Sequence, residues 1–115
     1  MRRRADFQRV REDGVSKAGR WLVLATVADP ELPHLMSGII TNRRTGKAHD
    51  RNRLRRRIRS ILQRHGAGLS EPRRWLVTIL RPGAAGASFA ELEADWLKQA
   101  RRLGLIARPP AEERP

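Results

Sequence analysis

Apolar residues in this chain fall into two patterns, continuous runs and spaced stripes. The runs cover residues 21–27, 35–41 and 75–80, and each is followed by a proline or a polar segment. Such runs, rich in Val, Ile and Leu, predict buried β-strands. The stripes predict amphipathic helices over about residues 50–65 and 88–103. Gly66 is predicted to end the first of these helices in a left-handed cap, and Gly104 follows the second.

The remaining segments complete the predicted order. Phe7 and Val10 would share one face of a short N-terminal helix, and residues 12–19 have the composition of a loop. Two prolines between residues 29 and 34 make a turn the simplest connection there. We predict one α+β domain over residues 1–107, ordered αβββαβα, with one four-stranded sheet packed by helices. Residues 108–115 are predicted to be a disordered tail.

Positive charge is concentrated on the central helix and the loop before it. Residues 43–64 contain ten basic residues and one acid, Asp50, which is +9 of the total +13. A focused positive field of this kind attracts a phosphate backbone. A solvated charged face and an acidic membrane surface are the alternatives. We prefer nucleic acid, because a solvated face would not need so much charge of one sign.

The start of this helix also breaks a local rule. Arg51 and Arg53 are predicted in its first turn, where the helix dipole disfavours each by about 0.3–1 kcal/mol. Asp50, the predicted N-cap, would offset only part of that cost. Together with Gly46 and Lys47, these arginines predict a phosphate site at the helix N-terminus.

Nothing in the sequence supports a self-contained enzyme. The chain has no cysteine, which excludes disulfides and thiolate metal sites and suits a reducing cytoplasm. Its histidines, His34, His49 and His65, have no nucleophile or metal ligand at a useful spacing. No run approaches the ~20 apolar residues of a membrane span, and the basic N-terminus lacks the apolar region of a signal peptide. We expect a cytoplasmic protein without a membrane partner.

Residues 44–56, RTGKAHDRNRLRR, resemble the signature of the bacterial ribonuclease P protein subunit. That signature is a basic loop, Gly-Lys-Ala, two variable residues and an Arg-Asn-Arg that opens a basic helix. Residues 6–14 resemble the family's Phe-x-x-Val-x-x-x-Gly, and a strand ending in Arg81-Pro82 precedes the last helix. Two segments depart from the pattern, since His49-Asp50 replaces the usual small apolar pair and Asn42-Arg43-Arg44 stands where the family usually has Ser-Lys-Lys.

The resemblance implies a left-handed βαβ crossover around the central helix. It also implies that the protein joins a catalytic RNA in an endoribonuclease that removes the 5′ leader of precursor tRNA. The RNA would hold Mg²⁺, and the protein would supply no catalytic residue and bind no small-molecule cofactor. A ribosomal or other structural RNA-binding protein and a nuclease acting alone are the alternatives.

The resemblance and the polar face of the helix together predict two sets of binding residues. Phe7, Val10 and Arg11 would bind the leader beside the exposed face of the sheet, although for Phe7 packing is as plausible as stacking on RNA. The residues predicted to bind RNA are Arg43, Arg44, Lys47, Arg51, Asn52, Arg53, Arg55, Arg56 and Arg59.

Overall fold

A computed structural model describes residue 10 and residues 12–106. Its strands are β1 (Val15–Ala18), β2 (Leu22–Ala28), β3 (Met36–Ile40) and β4 (Arg74–Leu80), and its helices are α1 (Ala48–His65) and α2 (Phe89–Arg102). Short 3₁₀ turns, Gly66–Gly68 and Ala84–Gly86, follow α1 and β4. Val10, Glu12 and Asp13 are helical. The predicted α+β class and order are confirmed from β1 onwards, whereas most of the first predicted helix and the tail lie outside the described residues.

The four strands form one sheet in the order β1-β2-β4-β3. β4 pairs antiparallel with β2 and parallel with β3, so it lies between two strands that precede it in the chain. The turn between β2 and β3 therefore does not form a hairpin. Parallel neighbours need a crossover connection, and α1 supplies it between β3 and β4. The left-handed sense of this crossover stays a prediction.

One face of the sheet carries both helices. Alternation along β2 and β4 places Leu22, Leu24, Leu76 and Leu80 on this face. These leucines pack with the apolar stripes of both helices in one core, whose helical members are Leu54, Ile58, Ile61, Leu92, Trp96 and Ala100. The opposite face holds a second, smaller cluster built on Val10, Ala25, Trp75 and Val77. The helices thus cover one sheet face and leave the other to a different set of residues.

β1 corrects the prediction of a loop over residues 12–19. All four of its residues are exposed, so no apolar pattern marks it in the sequence. It is a strand because it pairs with β2, from Val15 opposite Thr26 to Ala18 opposite Val23. The pairing is an antiparallel one with the next strand along the chain, and the composition of residues 15–18 alone does not reveal it.

The helix ends agree with the predictions in part. Ser88 and Glu91 form a capping box, with Glu91 N–H donating to Ser88 Oγ at 3.1 Å and Ser88 N–H to Glu91 Oε1 at 2.9 Å. Gly104 follows α2 with φ +75°. The left-handed cap predicted at Gly66 is wrong: its φ is −60°, and the chain continues into the 3₁₀ turn.

Candidate nucleic-acid interface

The basic helix begins earlier than predicted, and this changes the roles of its first residues. Its first residue is Ala48, and Lys47 is the N-cap. Asp50 is therefore the third helical residue and not the cap, and its Oδ2 accepts a bond from Lys47 N–H at 3.3 Å. Arg51 is then the fourth residue and Arg53 the sixth, so Arg53 lies beyond the first turn. The predicted conflict with the helix dipole is therefore wrong for Arg53. For Arg51, the carboxylate of Asp50 offsets the unfavourable interaction with the dipole, because Asp50 lies in the first turn, where an acid is favoured.

The loop before the helix is held in one conformation by its own hydrogen bonds. Asn42 Oδ1 accepts from Arg44 N–H at 2.9 Å, and Asn42 O accepts from Thr45 N–H at 2.9 Å. Thr45 is buried, and its Oγ1 accepts from Asn42 N–H at 3.1 Å. Such turns fix the backbone through side-chain oxygens. Arg43 and Arg44 are therefore exposed on a defined turn.

The face of α1 opposite the core is polar, as predicted. Asn52, Arg56, Arg59 and Gln63 are exposed, while Leu54, Ile58 and Ile61 on the other side are fully buried. Helical periodicity explains the division, because residues three and four apart share a face. We use the name basic face for the exposed predicted RNA-binding residues of α1 and its loop: Arg43, Arg44, Lys47, Asn52, Arg56 and Arg59.

The flanks of α1 are less open. Arg53 Nη2 donates to Ala85 O at 3.1 Å, and Arg57 Nη1 donates to Ala87 O at 3.0 Å, so both side chains reach the connection between β4 and α2. Arg51 and Arg55 are half-buried. Arg55 and Arg59 line a groove of about 210 Å³ between α1 and β3. The structure therefore divides the nine predicted RNA-binding residues into six exposed ones and three half-buried ones, Arg51, Arg53 and Arg55.

The three histidines lie in different environments. His49 has a 76% exposed side chain, and its Nε2 lies 3.2 Å from Asp50 Oδ1. His65 is half-buried, and its Nε2 lies 3.1 Å from Glu93 Oε2. That hydrogen bond, supported by Arg64, lowers the pKa of Glu93 below its usual value. His34 is exposed in the turn before β3.

Residue 10 and residues 12–106 contain no group of three His, Cys, Asp or Glu residues that could hold a metal ion. Neither described helix has the length and apolar character needed to cross a bilayer.

The sheet face away from the helices carries an apolar groove of about 170 Å³. Val10, the one predicted leader-binding residue that the structure describes, is 3% exposed and lines this groove. Phe7 and Arg11 lie outside the described residues. The groove's other lining residues are Gly14, Val15, Ser16, Val23, Ala25, Ile40, Val77 and Ile79. The strand residues that line the groove were not predicted individually. The alternation of side chains along a strand separates the two faces of the sheet, but it does not indicate which face the helices cover.

The aromatic side chains mostly belong to the core. Trp96 is fully buried and Trp75 is 9% exposed. Trp21 and Phe89 are only half-buried. An arginine lies over each of these two rings, with Arg20 Cζ 4.6 Å from the Trp21 centroid and Arg64 Cζ 5.1 Å from that of Phe89. Neither ring is on the basic face.

Comparison with known proteins agrees with this geometry. Residues 1–104 match the family described as Ribonuclease P. The Ribonuclease P protein component of Chloroflexus aggregans is 38% identical over 112 residues, which is 97% of this chain and 82% of the relative. That of Acidothermus cellulolyticus is 38% identical over 104 residues, covering 90% and 86%.

A solved structure extends the likeness to the fold. The structure of the Staphylococcus aureus RNase P protein is similar with a TM-score of 0.84 at 24% identity, covering 93% of this chain and 96% of that one. The sequence match spans the basic face, the sheet and the whole of α2. This chain therefore belongs to the Ribonuclease P protein family.

Proposed function

We propose that this protein is the protein subunit of ribonuclease P, binding the catalytic RNA and assisting removal of the 5′ leader from precursor tRNA. The observation that carries the proposal is the basic face, an ordered positive surface that immediately surrounds the family's Gly-Lys-Ala and Arg-Asn-Arg residues. Membership of the Ribonuclease P family supports the catalytic RNA as the partner of this surface. We also expect the protein to act in the cytoplasm.

The basic face suits a folded RNA because its charges are held by rigid elements. Arg56 and Arg59 project from a helix whose other side is in the core, and Arg43 and Arg44 project from a hydrogen-bonded turn. Phosphate contacts position a protein on nucleic acid, whereas base contacts give specificity. We assign the arginines of this face chiefly to phosphates. Asn52, exposed among them, is the candidate for a contact with a base edge.

The groove on the other face suits a single-stranded leader. Its described lining residues are apolar or small, and none of them carries a charge. Unpaired bases bind proteins largely through apolar and stacking contacts. We propose that Val10 and the strand residues contact the leader bases, with Phe7 and Arg11 contributing as the family resemblance implies. The alternative function, a structural RNA-binding protein, would leave this groove without a ligand.

The chemistry of cleavage belongs to the RNA in this proposal. Mg²⁺ would be held mainly by the RNA and would activate water for attack on the scissile phosphate. The protein's contribution is to bind and orient both RNAs through the basic face and the groove.

The test measures cleavage of precursor tRNA at the mature 5′ end at low Mg²⁺. The full chain is added to the cognate catalytic RNA, and parallel reactions contain either component alone. We expect the complete particle to cleave faster than the RNA alone and the protein alone to be inactive. Cleavage by the protein alone would instead support a self-contained nuclease, and an unchanged rate would support a structural RNA-binding protein.

A charge-matched comparison tests the surface itself. Arg59→Gln removes one charge from the basic face, whereas Lys98→Gln removes one from the exposed side of α2. We expect only Arg59→Gln to weaken binding of the catalytic RNA substantially. Equal effects of the two variants would mean that net charge alone drives binding and that the basic face is not the site.

A further inference from the structure

Asp50 connects three parts of the interface through one carboxylate. Its Oδ2 accepts from Lys47 N–H at 3.3 Å, which joins the helix to the basic loop. Its Oδ1 accepts from Arg53 Nη2 at 3.4 Å. The side chain is only 22% exposed, although it lies within the most basic segment of the chain. An acid placed there as a simple surface charge would be expected to face solvent.

Arg53 is held by this carboxylate against the connection between β4 and α2. The same Nη2 that reaches Asp50 also donates to Ala85 O at 3.1 Å. Arg53 Nε is buried and has no hydrogen-bond partner among the described residues. A buried donor without a partner favours release of the side chain to solvent. Asp50 opposes that release, since its charge and its hydrogen bond both hold the guanidinium in place.

The backbone around this contact is closely packed. A Cβ placed on Gly46 would lie 2.9 Å from Asp50 Cβ and 3.4 Å from Ala85 Cβ. The glycine therefore allows the loop to approach the helix and the turn at the same point. Because these backbones meet so closely, the guanidinium of Arg53 has a defined position relative to the basic loop.

Part of Arg53 nevertheless stays accessible. Its side chain is 39% exposed. Within the described part of the chain its bonds run through Nη2, so the Nη1 donors are available to a ligand. A guanidinium fixed on one edge and free on the other can bind a phosphate without first losing the motion of a long side chain.

We propose that Asp50 is a positioning residue that orients Arg53 for a phosphate of the partner RNA. The inference rests on the proposed function, because the ligand is the RNA bound by the basic face. It assigns a purpose to the one acid within the basic segment 43–64. His49 approaches the same Oδ1 at 3.2 Å, but it is 76% exposed and forms no part of the clamp on Arg53.

An argument from net charge alone predicts the opposite effect of removing Asp50 on RNA affinity. If Asp50 acted only as a negative charge near phosphates, its removal would strengthen RNA binding. If it orients Arg53, its removal weakens binding even though the net charge rises by one. The expected loss is about three- to tenfold, the cost of ordering one long side chain on binding.

The experiment is a double-mutant cycle on binding of the catalytic RNA by the full chain. The variants are Asp50→Ala, Arg53→Ala and the combination, with Asp50→Asn as the variant that keeps an acceptor for Lys47 N–H. We expect Asp50→Ala to weaken binding three- to tenfold in the natural chain. This is the cost, on the order of 1 kcal/mol, of ordering the Arg53 side chain when the RNA binds. In the Arg53→Ala background we expect the same change to have no effect or to strengthen binding slightly, because no arginine remains to be oriented.

Three outcomes decide the result. Tighter binding by Asp50→Ala in the natural chain, or equal effects in both backgrounds, overturns the inference. Asp50→Asn separates orientation from folding: we expect near-normal thermal stability with weakened binding, and normal binding by this variant also overturns the inference, because the carboxylate would not be needed to hold Arg53. Arg56→Ala, which does not touch Asp50, tests the proposed function separately. If Arg56→Ala binds normally as well, the basic face itself is not the RNA site.

Discussion

Two neighbouring arginines on α1 are predicted to behave differently when each is changed to alanine. Arg56 is exposed on the basic face, whereas Arg57 is half-buried and donates from Nη1 to Ala87 O at 3.0 Å. Both substitutions remove one positive charge from the same turn of the same helix. Arg56→Ala should therefore affect RNA binding, and Arg57→Ala should affect mainly the stability of the fold.

The magnitudes follow from the number and placement of the charges. The basic face has five cationic side chains, Arg43, Arg44, Lys47, Arg56 and Arg59. If each meets one phosphate, these five side chains contribute about −3.5 to −4.5 to the slope of the logarithm of the binding constant against the logarithm of salt concentration. Arg56→Ala should make this slope shallower by about 0.7–0.9. Arg57→Ala should leave the slope unchanged and lower the free energy of unfolding by about 1 kcal/mol, the net value of one hydrogen bond.

The assay is equilibrium binding of the catalytic RNA at several salt concentrations, paired with thermal unfolding of each variant. For a domain of this size, a loss of about 1 kcal/mol corresponds to a decrease in Tm of about 4–8 °C. The reasoning is refuted if Arg57→Ala flattens the salt dependence as much as Arg56→Ala does. It is also refuted if Arg56→Ala lowers the Tm while leaving the slope unchanged.

Three further predictions concern the rest of the molecule. Asp95 accepts from Trp21 N–H at 2.8 Å and from a buried glutamine, so Asp95→Ala should lower the unfolding free energy measured in urea by about 3–5 kcal/mol. The pKa of Glu93 is lowered, so its stabilisation is present above the unfolded value of about 4.3 and is lost as the pH falls through the folded value. The Tm difference between the natural chain and Glu93→Gln should shrink accordingly between about pH 5 and pH 3, and a constant difference would contradict this. Ile79→Ser should weaken binding of leader-bearing precursor tRNA by the particle while leaving a leaderless substrate unaffected, and equal losses on both would remove the groove from leader binding.

Parts of the interface that depend on local pattern could be predicted directly. The helical spacing of Leu54, Ile58 and Ile61 places Asn52 and Arg56 on the opposite side, and the structure agrees. The capping box before α2 was recognisable for the same reason, since its residues are neighbours in the chain. These features need only the geometry of one helix.

Other parts could not be predicted because they depend on which segments the fold brings together. The half-buried position of Arg53 involves the turn after β4, since its Nη2 donates to Ala85 O, some thirty residues away. β1 is recognisable only through its pairing with β2, because its side chains are all exposed. The first turn of α1 differs from the prediction for a local reason: the N-cap is Lys47, three residues before the predicted cap, and Asp50 accepts a bond from its N–H.

The sequence by itself determined the α+β class, the two amphipathic helices, the placement of charge on one of them and the family resemblance. Helical and strand periodicity and local charge density carry that information. The tertiary structure decided the insertion of β4 between β2 and β3, the sheet face that stays free of helices and the division of the arginines into exposed and clamped ones. The physical reason is that burial and hydrogen-bond partners are set by segments far apart in the chain, so identical arginines differ only in what the fold places beside them.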